Sequence, residues 1–217
     1  MKKFLVITLF PEIIQSSLNT SMMWKASKDK VASFEVMDLR QFGLGPRRQV
    51  DDKPFGGGAG MLLMIEPLTA AIKEAKKRLP NAKVLIMTPA KTIWNQQLAK
   101  DYADSNDDYI IICGHYEGFD ARVFNLVDQK ISIGKYVLTG GELPALIVID
   151  SIVRLLPNVL GGGEEAIKNE SYSESAELEY PQYTRPEVFA GQAVPSVLLS
   201  GNHAEIASWR EQHQINK

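Results

Sequence analysis

Five stretches of this chain combine residue types and spacings that could do chemistry. Asp51–Met61 reads Asp-Asp-Lys-Pro-Phe-Gly-Gly-Gly-Ala-Gly-Met, a glycine density that lets backbone approach a ligand closely or adopt positive φ. No Gly-Lys-Ser/Thr follows, so it is no phosphate-binding P-loop, and no strand leads straight into it, as the dinucleotide fingerprint requires. A plain flexible loop fits the same glycines. Ile112–Asp120 sets Cys113, His115, Tyr116 and Glu117 around Gly114 and Gly118. No third orienting group accompanies Cys113 and His115, so a thiol nucleophile is set aside and Cys113 reads as core packing. Glu117, held between glycines at a strand end, is what a cationic ligand would seek. Ile131–Pro144 mixes apolar side chains with Gly134, Gly140 and Gly141. That makes either a dry pocket whose backbone groups read an adenine edge or a buried strand-to-helix turn. Leu178–Pro186 sets Tyr180, Tyr183 and Arg185 among prolines, which suits stacking on unpaired RNA bases or docking another protein. In Leu199–Ile206, Asn202 or Ser200 caps a last helix, and His203 reads as structural or surface.

Alternating strand-like and helix-like runs position these stretches. Strands are expected at Lys3–Leu9, Ala32–Leu39, Ala82–Met87, Tyr109–Cys113 and Gln129–Ile133, and helices at Pro11–Leu18, Glu66–Leu79, Trp94–Ala103, Ala121–Val127 and Glu142–Leu156. Arg40–Gly60, rich in Gly, Pro and charge, is expected to be one long loop. Strands separated by helices imply βαβ units, a mostly parallel sheet and an α/β fold. Ligands then bind beyond the carboxyl ends of the strands, where Thr88-Pro89, Gly114–Asp120 and Gly134–Gly141 fall. The domain division expected is 1–160, a flexible linker over 161–175 rich in Gly, Glu, Ser and Asn, and a short helical region over 176–217.

Composition narrows the function classes. Hydrophobic residues make up 45% and charged residues 23%, a globular balance. No apolar run nears the roughly 20 residues that span a bilayer, and no cleavage site follows Phe4–Phe10, so a cytoplasmic protein is expected, with no membrane partner. One cysteine allows no intrachain disulfide, and Cys113 with three scattered histidines gives no zinc spacing. The net charge of -2 argues against a general DNA binder. Over residues 1–60, however, nine Lys/Arg face six Asp/Glu, with Arg40, Arg47, Arg48 and Lys53 in one segment. A local basic segment on a mildly acidic protein suits one defined anionic ligand, though a solvated loop would look the same.

Taken together, Asp52–Met61, Gly114–Asp120, Ile131–Pro144, Tyr180–Pro186 and Leu198–His203 resemble, in type and order, the bacterial tRNA (guanine-N1)-methyltransferases of the SPOUT class. The likeness runs from Phe4 to Arg210, nearly the whole chain. It implies an α/β fold with a SPOUT-type trefoil-knotted parallel sheet flanked by helices, and a homodimer with shared active sites. Ordinary topology rules would argue against a knot. It also implies methyl transfer from S-adenosyl-L-methionine to N1 of the guanosine at position 37, in the anticodon stem-loop of tRNA, with a divalent cation such as Mg²⁺ able to assist. By the same resemblance the donor is held by Met87, Thr88 and Pro89, by Gly114, Tyr116, Glu117 and Gly118, and by Ile133, Gly134, Lys135, Tyr136, Val137, Leu138, Gly140, Gly141 and Pro144.

The resemblance assigns catalysis to Arg154 and to a carboxylate base, and here the sequence departs from the family. Members carry an aspartate before Ser and an aromatic residue, whereas this chain reads Asn169-Glu170-Ser171-Tyr172. Glu170 takes the aspartate's place, or, with the spacing shifted by about one residue, Asn169 does. Glutamate's extra methylene moves the carboxylate by more than about 1 Å, enough to slow proton transfer. Ala90-Lys91 replaces the usual Gln-Gly, and the helices that follow Trp209-Arg210 in the family are missing, so a truncated C-terminal tRNA-binding region with a weaker grip is expected. Two other readings remain: a protein that binds RNA or the adenosyl ligand without efficient chemistry, and a related enzyme acting on a different RNA.

Overall fold

Val, Ile and Leu dominate three short runs whose residues are buried on both sides, and these become the middle of a parallel sheet. The computed structural model describes residues 1–161, 170–172 and 178–214. They divide into two compact units, Met1–Leu160 and Gly161–Lys217. The first contains β1 (Lys2–Thr8), α1 (Pro11–Leu18), α2 (Ser21–Lys28), β2 (Ala32–Asp38), β3 (Asp51–Asp52), β4 (Leu62–Leu63), α3 (Ile65–Arg78), β5 (Lys83–Met87), α4 (Gln96–Asp104), β6 (Tyr109–Cys113), β7 (Gln129–Ile131) and α5 (Glu142–Val153). The second contains β8 (Val188–Phe189), β9 (Gln192–Ala193), α6 (Ser196–Leu199) and α7 (His203–Gln212).

The main sheet has the order β2-β1-β6-β5-β7 with every pairing parallel. Alternation along each strand feeds two cores. Phe4, Val6, Leu85, Ile111 and Cys113 face one core, with Ile14, Met23, Ala145, Val148 and Ile152 from α1, α2 and α5. Leu5, Ile7, Val84, Ile86, Ile110 and Ile112 face the other, with Leu68, Ala71, Ile72 and Ala75 from α3. Helices therefore cover both faces of the sheet, as an α/β architecture requires.

The structure corrects the sequence expectations in several places. Helix α2 lies where none was expected; Met23 and Ala26 bury one side of a segment too short and polar to show a clear period. The supposed loop over 40–60 is partly ordered: Leu39–Phe42 forms a 3-10 turn, and Asp51–Asp52 pairs antiparallel with Leu62–Leu63, so the glycine segment is the tip of a hairpin. Ala121–Leu126 is a 3-10 turn rather than an α-helix. Helix α4 starts at Gln96 because Asn95 Oδ1 caps the Leu98 amide, while the Trp94 amide donates to Ser132 O at 2.7 Å. Helix α5 ends at Val153, after which Leu155 and Leu156 donate to Ile152 and Val153 in a tightened last turn before Pro157.

Candidate active site

From β5 the chain crosses to β6 on one side and then to β7 on the other, which makes β5 the switch point of the sheet. Loops leaving the carboxyl ends of neighbouring strands diverge at such a point and leave a crevice. The segments after β5, β6 and β7 line a cavity of about 190 Å³ there. All the residues that the family resemblance assigns to the donor line it except Lys135, which lies outside the wall. His115, Phe119, Ile131, Ser132 and Thr139 line it too, although sequence reasoning had not assigned them; their position inside the same glycine-bounded loops was the available signal.

Backbone hydrogen bonds fix the three loops against one another. The Thr88 amide donates to Ile131 O at 3.0 Å, tying the first loop to β7, and the Gly141 amide donates to Gly114 O at 2.8 Å, tying the third loop to the second. The β3–β4 hairpin braces the second loop: the Glu117 amide donates to Met61 O at 3.0 Å, the Leu63 amide to Gly118 O at 2.9 Å, and the Asp120 amide to Leu63 O at 2.9 Å. Glycine is required at the tightest approaches. At Gly60 (φ +78°) a Cβ would overlap the Glu117 side chain, and at Gly141 one would sit 2.5 Å from the Gly114 amide nitrogen. Tyr116 takes up φ +58°, which turns its ring toward solvent beside Glu117. The opposite wall is apolar, with Ile133, Val137, Leu138 and Pro144, and Val137 is 86% exposed at the rim.

Beneath these loops lies a buried polar cluster. Glu142, at the first turn of α5, is 5% exposed, and its Oε1 accepts the Thr8 hydroxyl at 2.6 Å. Thr8 Oγ1 in turn accepts the Phe10 amide at 2.9 Å. Burial pushes the Cys113 thiol well above its ordinary range, and the neighbouring Glu142 adds to the effect. Cys113 is therefore a packed thiol, as expected from sequence. The Phe10 and Tyr116 rings meet His115 edge-on, at centroid distances of 4.9 and 4.8 Å.

Of the two residues assigned to catalysis, Arg154 does not line this cavity. Arg154 caps the far end of α5; the twelve residues of that helix separate it from the cavity's Gly141, about 20 Å at 1.5 Å per residue. Glu170 belongs to the second unit, and Asn169 lies outside the described residues. Within the second unit, Tyr180, Tyr183 and Arg185 line a cavity of about 360 Å³ together with Trp209 and Arg210 of α7. The Arg210 guanidinium sits 4.9 Å from the Tyr180 ring centre, and Trp209 stacks on His213 at 4.0 Å. Asn202 caps α7 through the Ala204 and Glu205 amides. In the first unit, Arg40, Arg47, Arg48 and Lys53 are all exposed. No helix among the described residues is long and apolar enough to cross a membrane.

Comparison with known proteins agrees over nearly all of this chain. The family model described as tRNA (Guanine-1)-methyltransferase TrmD matches residues 1–217. A tRNA (guanine-N(1)-)-methyltransferase of Mycoplasma mycoides subsp. mycoides is 48% identical over 215 residues, covering 99% of this chain and 88% of that protein. Its counterpart from Nostoc punctiforme is 44% identical over 215 residues, covering 99% and 89%. The crystal structure of the tRNA (m1G37) methyltransferase from Aquifex aeolicus superposes with a TM-score of 0.81 at 38% identity, covering 98% of this chain and 88% of that one.

Proposed function

The chain belongs to the tRNA (guanine-1)-methyltransferase family, and from that premise we propose that it methylates N1 of the guanosine at tRNA position 37, with S-adenosylmethionine as donor. The observation that carries this reading is the convergence of three glycine-bearing loops, from three neighbouring strand ends, on one cavity with apolar walls and exposed backbone. Such a cavity fits an adenosyl group: apolar faces sandwich the ring, and backbone amides and carbonyls read its polar edge. Met87–Pro89, Gly114, Tyr116–Gly118, Ile133, Gly134, Tyr136–Leu138, Gly140, Gly141 and Pro144 would hold it, with Glu117 offering a carboxylate to its cationic part. When bound, the donor supplies an electrophilic methyl group.

The chain's own task is to make guanine N1 nucleophilic. That nitrogen carries a proton, so a carboxylate must remove it while a cation stabilises the charge developing on O6. Glu170 serves as base and Arg154 as the cation. The distance of Arg154 from its own chain's cavity supports a homodimer in which each Arg154 serves the other copy's site. Exposed Leu143 and Ile147, one turn apart on α5, offer an apolar face for that second copy. The trefoil knot belongs to the same reading, since the chain returns from β7 across the end of β6 before entering α5. The aromatic and arginine surface of the second unit would grip the anticodon stem-loop by stacking. Among the described residues no three His, Cys, Asp or Glu side chains cluster to hold a metal ion, so these residues alone form no site for a divalent cation. A cytoplasmic location follows from the substrate.

Mass-spectrometric nucleoside analysis tests this function. tRNA with guanosines at positions 36 and 37, incubated with protein and donor, should gain 1-methylguanosine. Arg154→Ala should lower the rate by about 100-fold or more. Glu170→Gln should do likewise while leaving donor affinity near normal. No 1-methylguanosine above the Arg154→Ala background would reject the function.

A further inference from the structure

One buried side-chain nitrogen lacks a hydrogen-bond partner among the described residues: Nδ1 of His115, in the wall of the cavity. Buried polar atoms are nearly always satisfied, so an orphan calls for a specific explanation. Its surroundings supply one. The point where a Cβ on Gly140 would sit is 3.3 Å from His115 Nδ1 and overlaps Glu142 Oε2, so the imidazole and the carboxyl flank the same face of Gly140. Thr8 already occupies Glu142 Oε1 and fixes that carboxyl, while Phe10 and Tyr116 grip the ring from its edges. The His115 carbonyl accepts the Gly118 amide at 3.1 Å, so a shift of the ring is felt in the loop that carries Glu117.

We propose that His115 is a positioning residue of the donor site, its Nδ1–H donating to Glu142 Oε2 once the donor seats the Gly140 segment. The inference rests on the methyl-donor reading above and adds a device to it. Without ligand, a desolvated nitrogen goes unpaired, which disfavours the closed arrangement of the loops. With ligand, the new bond ties the loop after β6 to the start of α5 across Gly140, and a state that was strained becomes satisfied. A neutral imidazole has one N–H, so the liganded protein must hold the Nδ1–H tautomer at His115. Gly140 cannot carry a side chain without wedging the two partners apart.

Imidazole ¹⁵N spectra test the tautomer. The chain has three histidines, and His203 and His213 lie in the second unit, so His115 can be assigned by substitution. Saturation with S-adenosylhomocysteine should move the His115 ring to the Nδ1–H form. Glu142→Gln, which keeps an oxygen for Thr8 but turns an amide NH₂ toward the ring, should remove that change. By calorimetry His115→Phe, which keeps the ring packing, should bind the same probe about ten-fold more weakly. His115→Asn, which restores a donor near Nδ1, should recover to within about three-fold of the original affinity. An unchanged ring spectrum at saturation, a Glu142→Gln protein that keeps the change, or His115→Phe binding as tightly as the unsubstituted chain would overturn the inference and leave the donor reading standing. Failure of the unsubstituted chain to bind the probe would instead bring down the donor reading, and this inference with it.

Discussion

Replacing Gly141 by alanine adds one methyl group at the joint between the second and third loops. The backbone there (φ -91°, ψ -2°) accommodates any residue, so the effect is purely steric. The new Cβ would meet the Gly114 nitrogen at 2.5 Å, Cys113 Cα at 2.7 Å and Cys113 carbonyl carbon at 3.0 Å. These are backbone atoms at the end of a central strand and cannot swing aside. Restoring ordinary contact distances takes a separation of about 1 Å. That movement stretches the 2.8 Å bond from the Gly141 amide to Gly114 O beyond useful length. Overpacking costs about 1–3 kcal/mol and a broken buried hydrogen bond a similar amount; with relaxation, a net loss of about 2–3 kcal/mol is expected. Differential scanning calorimetry should then show a fall in Tm of roughly 5–10 °C. If about 2 kcal/mol must be returned when the loops close on ligand, S-adenosylhomocysteine binds about 30-fold more weakly in isothermal titration. Gly161→Ala is the control, since no described residue lies within 4 Å of its Cβ position. Gly141→Ala that binds the probe within two-fold of the unsubstituted affinity would refute the claim that this joint shapes the cavity.

Two further outcomes concern ionisation. Burial first, then nearby acids, pushes Tyr102 up to about 12; burial does the same to Tyr109. A phenol whose folded pKa is raised contributes stability that is whole below pH 10 and disappears as pH climbs toward 12. Alkaline difference spectra should show two phenols ionising only near pH 12, with Tm falling most steeply between pH 10 and 12. Complete titration by pH 10.5 would contradict that burial. The Cys113 thiol, raised by desolvation and by Glu142, should resist an aromatic disulfide reagent at pH 8 in the native protein and react fully after denaturation. Reaction of the native protein at the denatured rate would show the strand end to be open.

Strand and helix identity was largely legible along the chain because it rests on local patterns. Phe4–Ile7, Val84–Met87 and Tyr109–Cys113 are continuous apolar runs, and runs of that length between turn signals become strands covered on both faces. Pro11 at the first turn of α1 and Pro157 after α5 are punctuation that any fold must respect. The hairpin in 51–63 was not legible, because two-residue strands carry no period and their pairing is braced by bonds to Glu117, Gly118 and Asp120, far along the chain. Helix α2 was hidden for a related reason: burial of Met23 and Ala26 against the sheet, rather than propensity, stabilises it.

The candidate site divides along the same line. Residue chemistry and glycine spacing in the sequence fix which segments can approach a ligand, because glycine's backbone freedom and the charge of Glu117 or Arg154 are properties of the residues themselves. Only the tertiary structure decides that the segments after β5, β6 and β7 share one cavity, that Glu142 and Thr8 lie beneath it, that His115 is left with an unpaired nitrogen, and that Arg154 stands a helix length away. The physical reason is that strand order is set by packing between residues distant in sequence. A local pattern determines that β5, β6 and β7 exist, whereas their order in the sheet, and so the crevice at β5, depends on how both cores fill at once.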